Sequence, residues 1–369
     1  MKRLAQLAAA TATAATAATA ASAAPAAPAV PAVPAASAAA ATPAAGFSAD
    51  WLQRREPFDA AARAATAPQL KLRQRLMAWR PSGSAPLRVI DLACGTGANL
   101  RWLAPQLGGR QQWLVVDHDA ALLRRWPAAL EAAKSDAADL IGAEPDGAES
   151  GAAAPIAAAL KTSVLQTGER TGRACLQFAG AGFCADVVRR RLDLAVALES
   201  LPWHAAHLAT ASALLDLVSA AWLQRLVAAA TAARVAVLMA LSVDGRHHFA
   251  PSDAGDGDIG MMFRAHQQRD KGFVGPALGA AAGAELVLAL RRAGYRVYTA
   301  RSDWRLDGRR DAQALALQRA LIDGMAAAAA EQRPDTAAAV EAWRQLRQLL
   351  APRSSLRVGH LDVLALPPR

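Results

Sequence analysis

Residues 89–100, Val89-Ile90-Asp91-Leu92-Ala93-Cys94-Gly95-Thr96-Gly97-Ala98-Asn99-Leu100, constrain this chain more than any other stretch. A β-branched apolar run ending in an acid reads as a buried strand. A turn of small residues follows, then a helix through Leu100, Trp102 and Leu103. Gly95 and Gly97 have no side chain, so the backbone can turn sharply there and approach a ligand closely. The helix behind them opens with free amide groups. Twenty residues after Gly97, a second strand (113–116) ends at Asp117, followed by His118. A carboxylate at that strand tip can accept hydrogen bonds from both hydroxyls of a ribose. Strand, glycine turn, helix, strand and acid together predict a nucleoside-type site at the mouth of a parallel sheet.

The rest of the chain repeats the rhythm. Further strands are predicted at 187–192, 207–211, 235–241, 295–299 and 356–364, with helices at 284–293, 312–331 and 336–350. Such alternation predicts an α/β fold. It is Rossmann-like and doubly wound, with a mostly parallel seven-stranded sheet and helices on both faces. Ahead of it, residues 47–85 read as a helical cap, and residues 86–369 form the main domain. Residues 136–185, rich in Ala and Gly, read as a flexible insertion. The polar stretch 244–275 is placed to be a lid, and 308–352 reads as a helical insertion. Residues 1–46 are almost all Ala, Thr, Pro and Ser. Threonines interrupt what would be the apolar region of an export signal, so the segment reads as a disordered extension.

Composition narrows the partners. The net charge is +10, yet five of the 41 basic residues are lysines and the arginines are scattered, the longest run being Arg189-Arg190-Arg191. Without a basic stripe interleaved with aromatics, nucleic acid is possible but not favoured. No uncharged apolar run is long enough to predict a membrane span. Three cysteines without paired spacing predict neither a disulfide framework nor a metal site, and fit a reducing, cytoplasmic setting.

The segment Asp91-Leu92-Ala93-Cys94-Gly95-Thr96-Gly97 resembles the first motif of the class I S-adenosylmethionine-dependent methyltransferases, as found in uncharacterised bacterial members. The resemblance covers about residues 86–305 and is strong only over 87–119. It implies S-adenosyl-L-methionine as cofactor. Gly95 and Gly97 would pass under its methionine part, with Asn99 at the start of the helix behind them. Asp91 would lie near the amino group and Asp117, beside His118, at the ribose. Ala93 stands where the family commonly has its first glycine. Asp193, followed by Leu194, matches the polar position facing the adenine amino group. His207 replaces the usual aspartate at the start of the fourth strand, and Ala293-Gly294-Tyr295 is similar to a late family pattern.

Methyl transfer from a sulfonium is an in-line displacement, so positioning and exclusion of water matter most. A general base is needed only if the acceptor keeps its proton. Ser212 and Asp216 follow the fourth strand, on the edge where ligands bind in such sheets. Ser242 follows the fifth, and His247, His248, His266 and Arg269 lie in or beside the 244–275 stretch. His266 is the preferred candidate base and Asp216 the second. His247-His248 reads as a solvated pair rather than a metal site, and Trp203 and Trp304 as core or as stacking platforms for an aromatic acceptor. No Asn/Asp-Pro-Pro-aromatic sequence follows the fourth strand, and no Pro-Cys pair occurs. Both absences disfavour methylation of DNA amino groups or of cytosine. The expected acceptor is a small molecule, and no obligate protein partner is evident. Open alternatives are an RNA methyltransferase, a non-enzymatic binding module for the cofactor, and a nicotinamide-dependent dehydrogenase. Leu100 stands where the dehydrogenase fingerprint needs a small residue.

Overall fold

In the computed structural model the described residues are 47–129, 168–170 and 173–368. The predicted extension 1–46 and most of the predicted insertion lie outside them. The described residues begin with α1 (Ala49–Thr66) and the short α2 (Leu72–Met77). Ser48 caps α1 by accepting a hydrogen bond from Trp51 N–H at 3.1 Å. The sheet then starts with β1 (Leu87–Leu92), α3 (Ala98–Leu107), β2 (Gly109–Asp117) and α4 (Ala120–Arg124). After these come β3 (Gly168–Arg170), β4 (Arg173–Gly180), β5 (Phe183–Arg191), α5 (Leu194–Ala197), β6 (Leu208–Ser212), α6 (Ala220–Ala232) and β7 (Ala236–Ala250). The chain closes with α7 (Asp256–Gln267), α8 (Ala282–Arg292), β8 (Arg296–Arg301), β9 (Trp304–Asp307), α9 (Ala312–Gln332), α10 (Ala337–Leu350) and β10 (Ser355–Leu366).

The strand order is β3-β4-β5-β2-β1-β6-β7-β10-β8, with β9 paired to β10. The five central strands, β5-β2-β1-β6-β7, are all parallel. Successive connections run outward one way from β1 to β2 and β5, then return to β6 on its other side. The order therefore reverses beside β1, and this topological switch point opens a crevice at the carboxyl ends of β1 and β6. The mixed α/β sheet is as the alternation predicted, but it has ten strands among the described residues rather than seven. Part of the difference lies in the predicted flexible insertion. Its residues 168–170 and 173–180 form β3 and β4, which pair with each other, and β4 runs antiparallel to β5 from Cys175↔Val188 to Gly180↔Phe183. The other difference is β9, four residues long and too short to announce itself by periodicity.

Side-chain alternation along the strands supplies both faces. Ile90, Leu92, Val237 and Met239 face one layer, where Trp222, Leu223 and Leu226 of α6 and Leu286 and Leu290 of α8 cover them. Val89, Trp113, Val115 and Leu238 face the other, covered by Leu100, Leu103 and Leu107 of α3 and Leu72 and Leu76 of α2. A third core lies elsewhere. β7 and β10 pair as far as Ser355↔Ala250, well past the parallel part of β7, which ends at Ala240. Phe249, Leu306, Leu317, Met325, Val340, Trp343 and Val358 gather round this extension. The predicted lid, 244–275, is thus the end of β7 followed by α7. Helix α7 is tied down by Asp256, which accepts hydrogen bonds from Trp343 Nε1 at 3.0 Å and from the buried Arg347 of α10.

Candidate functional site

Three residues of the turn after β1 take positive φ: Ala93 at 51°, Gly95 at 53° and Gly97 at 92°. This folds the chain back over the tips of β1 and β2. Cys94 N–H donates to the carbonyl of Val116 at 2.9 Å, and Gly95 N–H donates to Asp117 Oδ2 at 2.8 Å. The other Asp117 oxygen accepts from Asp119 N–H at 2.9 Å, and exposed His118 lies with Nδ1 3.4 Å from it. Asp117 therefore faces the turn, and each of its oxygens keeps a second lone pair for a further donor. Leu192 N–H donates to the carbonyl of Asp117 at 2.9 Å, which brings exposed Asp193 alongside. Asp193 itself caps α5, accepting from Ala195 N–H at 2.9 Å, while Leu194 is buried in the core.

Asp91 is fully buried at the tip of β1. One carboxylate oxygen accepts from Asn99 Nδ2 at 2.6 Å. The other, Oδ2, is buried with no partner, and so is Asn99 Oδ1. Thr210 of β6, level with Asp91 in the register, accepts from the same Asn99 amide at 3.3 Å. Burial pushes the Asp91 carboxyl up to about 7. The Asn99 hydrogen bond and the charge of Arg63 pull it down, and Asp117 adds to the rise. Buried polar atoms normally find partners, so these two orphan oxygens, side by side in one hydrogen-bonded pair, mark a place where a donor is missing.

Both glycines of the turn also meet the protein's own side chains. A Cβ on Gly95 would lie 3.0 Å from Leu52 of α1, and one on Gly97 would lie 3.0 Å from the ring of Trp126. Trp126 is fully buried and donates its Nε1–H to the carbonyl of Gly95 at 2.8 Å. Gly97 therefore serves helix packing. Gly95 faces a helix laid over the crevice. Arg101 of α3 locks that helix: Nε and Nη2 grip Glu56 at 2.7 and 2.6 Å, and Nη1 donates to Thr96 O at 2.7 Å.

Helix α1 covers the carboxyl edge with charge rather than with oil. Its buried residues are Arg55, Asp59, Ala62, Arg63 and Thr66. Arg55 forks Asp59 at 2.9 and 3.3 Å and lies over the ring of Trp304, whose Nε1–H also donates to Asp59 at 2.9 Å. Arg63 stacks 4.0 Å above Trp102, and its Nε and Nη2 are buried without partners. Thr66 donates to Asp362 Oδ2 at 2.9 Å. Asp362 Oδ1 accepts from Leu241 N–H at 2.8 Å and from Ser302 at 2.6 Å.

The predicted acceptor-side residues divide. Ser212 lies at the tip of β6. Asp216 sits in the turn beyond it with Oδ1 buried and partnerless, its carboxyl pushed up by burial and opposed by the charge of Arg55. Ser242 is also buried with its hydroxyl unpartnered. His247 packs edge-on against Phe263, and desolvation lowers it to about 4, so it is held neutral. His266 goes elsewhere: Nε2 pairs with Glu331 of α9 at 3.1 Å, alongside Arg269, at the α7–α9 contact. That contact joins it to no residue of the β1–β6 crevice. Trp203 is core, bonded to Leu198 O at 3.0 Å, and His207 accepts from Arg88 N–H at 2.9 Å. His207 precedes β6, at the amino edge of the sheet opposite the crevice. No group of three or more His, Cys, Asp or Glu is placed to hold a metal ion among the described residues. No helix among them is long and apolar enough to cross a membrane.

The residues missed in the sequence are Arg55, Asp59, Arg63, Thr66, Thr210, Ser302 and Asp362. The first three recur at helical spacing on α1, a pattern indistinguishable from a solvated charged face until a partner covers it.

No family model matches the chain, and no curated protein matches it. Among solved structures it is similar to the cyclopropane synthase MmaA2 from Mycobacterium tuberculosis, with 11% identity, 82% of this chain and 84% of that chain covered, and a TM-score of 0.37. It is also similar to the [4+2]-cyclase SpnF, with 14% identity, 81% of each chain covered and a TM-score of 0.31. A third is a phosphoethanolamine N-methyltransferase from Haemonchus contortus in complex with S-adenosylhomocysteine. There the identity is 11%, the coverage 87% of this chain and 60% of that chain, and the TM-score 0.32. Likeness at this level carries no conclusion about the reaction, and these three proteins differ in theirs.

Proposed function

We propose that this protein transfers a methyl group from S-adenosylmethionine to a small acceptor held beneath α1. The observation that carries the reading is the crevice at the switch point. There Asp91 and Asp117 stand at neighbouring strand tips joined by the Gly95–Gly97 turn, and the oxygens Asp91 Oδ2 and Asn99 Oδ1 are buried without partners. A nucleoside with a charged tail suits that donor set. The Asp117 lone pairs are available to ribose hydroxyls, and Asp91 and Asn99 to an ammonium group. Asp193 and His118, exposed beside Asp117, border the base; Ala93 and Ser212 complete the rim, with Leu194 behind it in the core. Binding requires the Leu52 side chain to swing away from Gly95.

The cofactor, when bound, supplies an electrophilic methyl group on sulfur. The chain's part is to hold the acceptor in line and keep water out, and a polar roof over the carboxyl edge suits both tasks. That same roof favours a small acceptor over a polymer such as RNA. If the acceptor keeps its proton, Asp216 is the base, since burial already raises its affinity for a proton; His266, paired with Glu331, is not retained for that role. A nicotinamide dehydrogenase fits less well. Its sheet continues parallel beyond the fifth strand, whereas β10 runs antiparallel to both β7 and β8.

Titration calorimetry tests the reading. S-adenosylmethionine binds and reduced nicotinamide dinucleotide does not. Gly95→Arg abolishes binding while the circular dichroism spectrum is kept. Asp117→Ala weakens it by about 1.5–3 kcal/mol, the scale of hydrogen bonds to a charged group. Nicotinamide binding without S-adenosylmethionine binding reverses the assignment.

A further inference from the structure

Resting on that reading, we propose that His360 and Arg55 form the recognition end of the acceptor site and select an uncharged molecule that presents an O–H or N–H donor beside an acceptor oxygen. His360 lies on β10, level with Val243 of β7. The parallel part of β7 ends at Ala240, so the imidazole stands beyond the carboxyl tips of the sheet. It is 2% exposed and lies against Trp304 of β9, with ring centroids 4.8 Å apart. Arg55 of α1 lies against the same indole, its Cζ 5.1 Å from the ring centroid. The helix leads from there back to the crevice, because Arg55 is one turn along α1 from Leu52, the residue against Gly95. The charge of Arg55 also acts on the buried carboxyl of Asp216, so Arg55 is near both Asp216 and His360.

Each of the two side chains carries one unused atom. His360 Nδ1 is 3.1 Å from the carbonyl oxygen of Val358. A carbonyl can only accept, so the ring proton sits on Nδ1 and Nε2 is a bare lone pair. Burial, and after it the charge of Arg55, lowers the ring to about 3 and holds it neutral. Nε2 has no hydrogen-bond partner among the described residues and is not one of their sealed polar atoms. Arg55 commits Nε and Nη2 to Asp59, and its Nη1 is likewise unpartnered and open. A lone pair and an N–H against one indole call for a ligand that offers a donor and an acceptor together, such as a hydroxyl beside a carbonyl, or an amide. Charge is not called for. Asp59 already balances Arg55 and His360 is neutral, so a carboxylate or ammonium group entering here gives up its hydration without meeting a free counter-ion. A molecule lacking the donor or the acceptor leaves a protein atom bare, which is how such a site discriminates.

Methyl-labelled S-adenosylmethionine and a cell metabolite extract test the assignment. Wild type is expected to place the label on an oxygen or nitrogen of an uncharged compound. His360→Phe keeps a ring on Trp304 but removes Nε2. It lowers kcat/KM for that compound by about 10–100-fold, the scale of a buried polar group left unpaired, while calorimetry finds S-adenosylmethionine affinity unchanged. His360→Gln, whose amide oxygen can reach the place of Nε2, recovers most of the loss. A second measurement does not depend on the folding of the Phe variant. In nitrogen NMR spectra of histidine-labelled wild type at neutral pH, His360, assigned by its absence from His360→Gln, carries its proton on Nδ1 and none on Nε2. The opposite tautomer overturns the inference and leaves methyl transfer standing. So does label on carbon, on sulfur, or on a carboxylate or ammonium compound. A Phe variant as active as wild type, a Gln variant as weak as Phe, or an equal fall in cofactor affinity makes His360 structural and has the same effect. Failure of wild type to bind S-adenosylmethionine, or binding with no labelled product, takes down the methyl-transfer reading itself.

Discussion

Ala93 shows at a single position how the turn is held. It occupies the left-handed region at φ 51°, where an L side chain crowds the following carbonyl. The strain is sustained by the turn's hydrogen bonds to Val116 and Asp117. Ala93→Gly is expected to raise stability by about 0.5–1 kcal/mol in urea unfolding, the strain relieved less the greater freedom of glycine in the unfolded chain. A loss would show that the alanine methyl packs usefully. Asp91 has a pH signature. Its folded value of about 7 lies above the ordinary 3.8, so the folded state holds the proton. The stabilising contribution is complete below about pH 4 and is lost as pH rises through about 7. Asp91→Asn should therefore gain on wild type by about 1–3 kcal/mol between pH 5 and pH 8 without ligand. A difference that stays flat across that range would mean Asp91 does not titrate there. The strand, turn and helix around these residues were legible because local spacing sets them. The partnerless oxygens were not, since a missing neighbour leaves no mark on the residue that lacks it.

At the scale of the element, α1 is the part whose role the sequence left open. Its residues were legible as a helical cap from Trp51, Leu52 and Phe58, but the buried face carries Arg55, Asp59 and Arg63. Charged stripes are seldom buried without partners, and here Trp304, Trp102 and Asp362 come from three other elements or connections. The Glu56–Arg101 pair is the clasp between α1 and α3, with Arg101 nearly buried and Glu56 about a quarter exposed. Glu56→Gln is expected to destabilise the fold by about 1–3 kcal/mol, between an exposed and a buried pair. Faster amide exchange should be concentrated in α1. Exchange that rises equally in α6 and α8 would show that α1 is part of the global unit rather than a separable roof.

For the whole molecule, β10 is decisive. It runs against β7 and β8 at once and carries the sheet past its parallel half into the third core. Gly359 sits where its register with β7 shifts, and a Cβ there would lie 2.1 Å from Asp244 Oδ1 and 2.8 Å from Arg246 Cβ. Asp244 and Asp303 both bind Arg246, so the intruding methyl disturbs a filled ion-pair cluster. Gly359→Ala should lower stability by about 1–3 kcal/mol, with a fall in melting temperature but no change in cofactor affinity. Lost affinity at unchanged stability would tie this arm to the site directly. Strand 356–364 was legible as a strand, yet its reversed direction was not. Direction depends on which neighbours accept its backbone hydrogen bonds, and those lie from about fifty to more than a hundred residues back along the chain.

Sequence alone determined the glycine turn, the two acids at adjacent strand tips and the α/β alternation. Each is written in spacings of a few residues that backbone geometry reads locally. Only the tertiary structure decided that α1 lies over the crevice with its charges inward and that His266 serves the α7–α9 contact. Burial and pairing belong to neighbours in three dimensions, and a charged residue looks the same in sequence whether water or a ligand is meant to meet it.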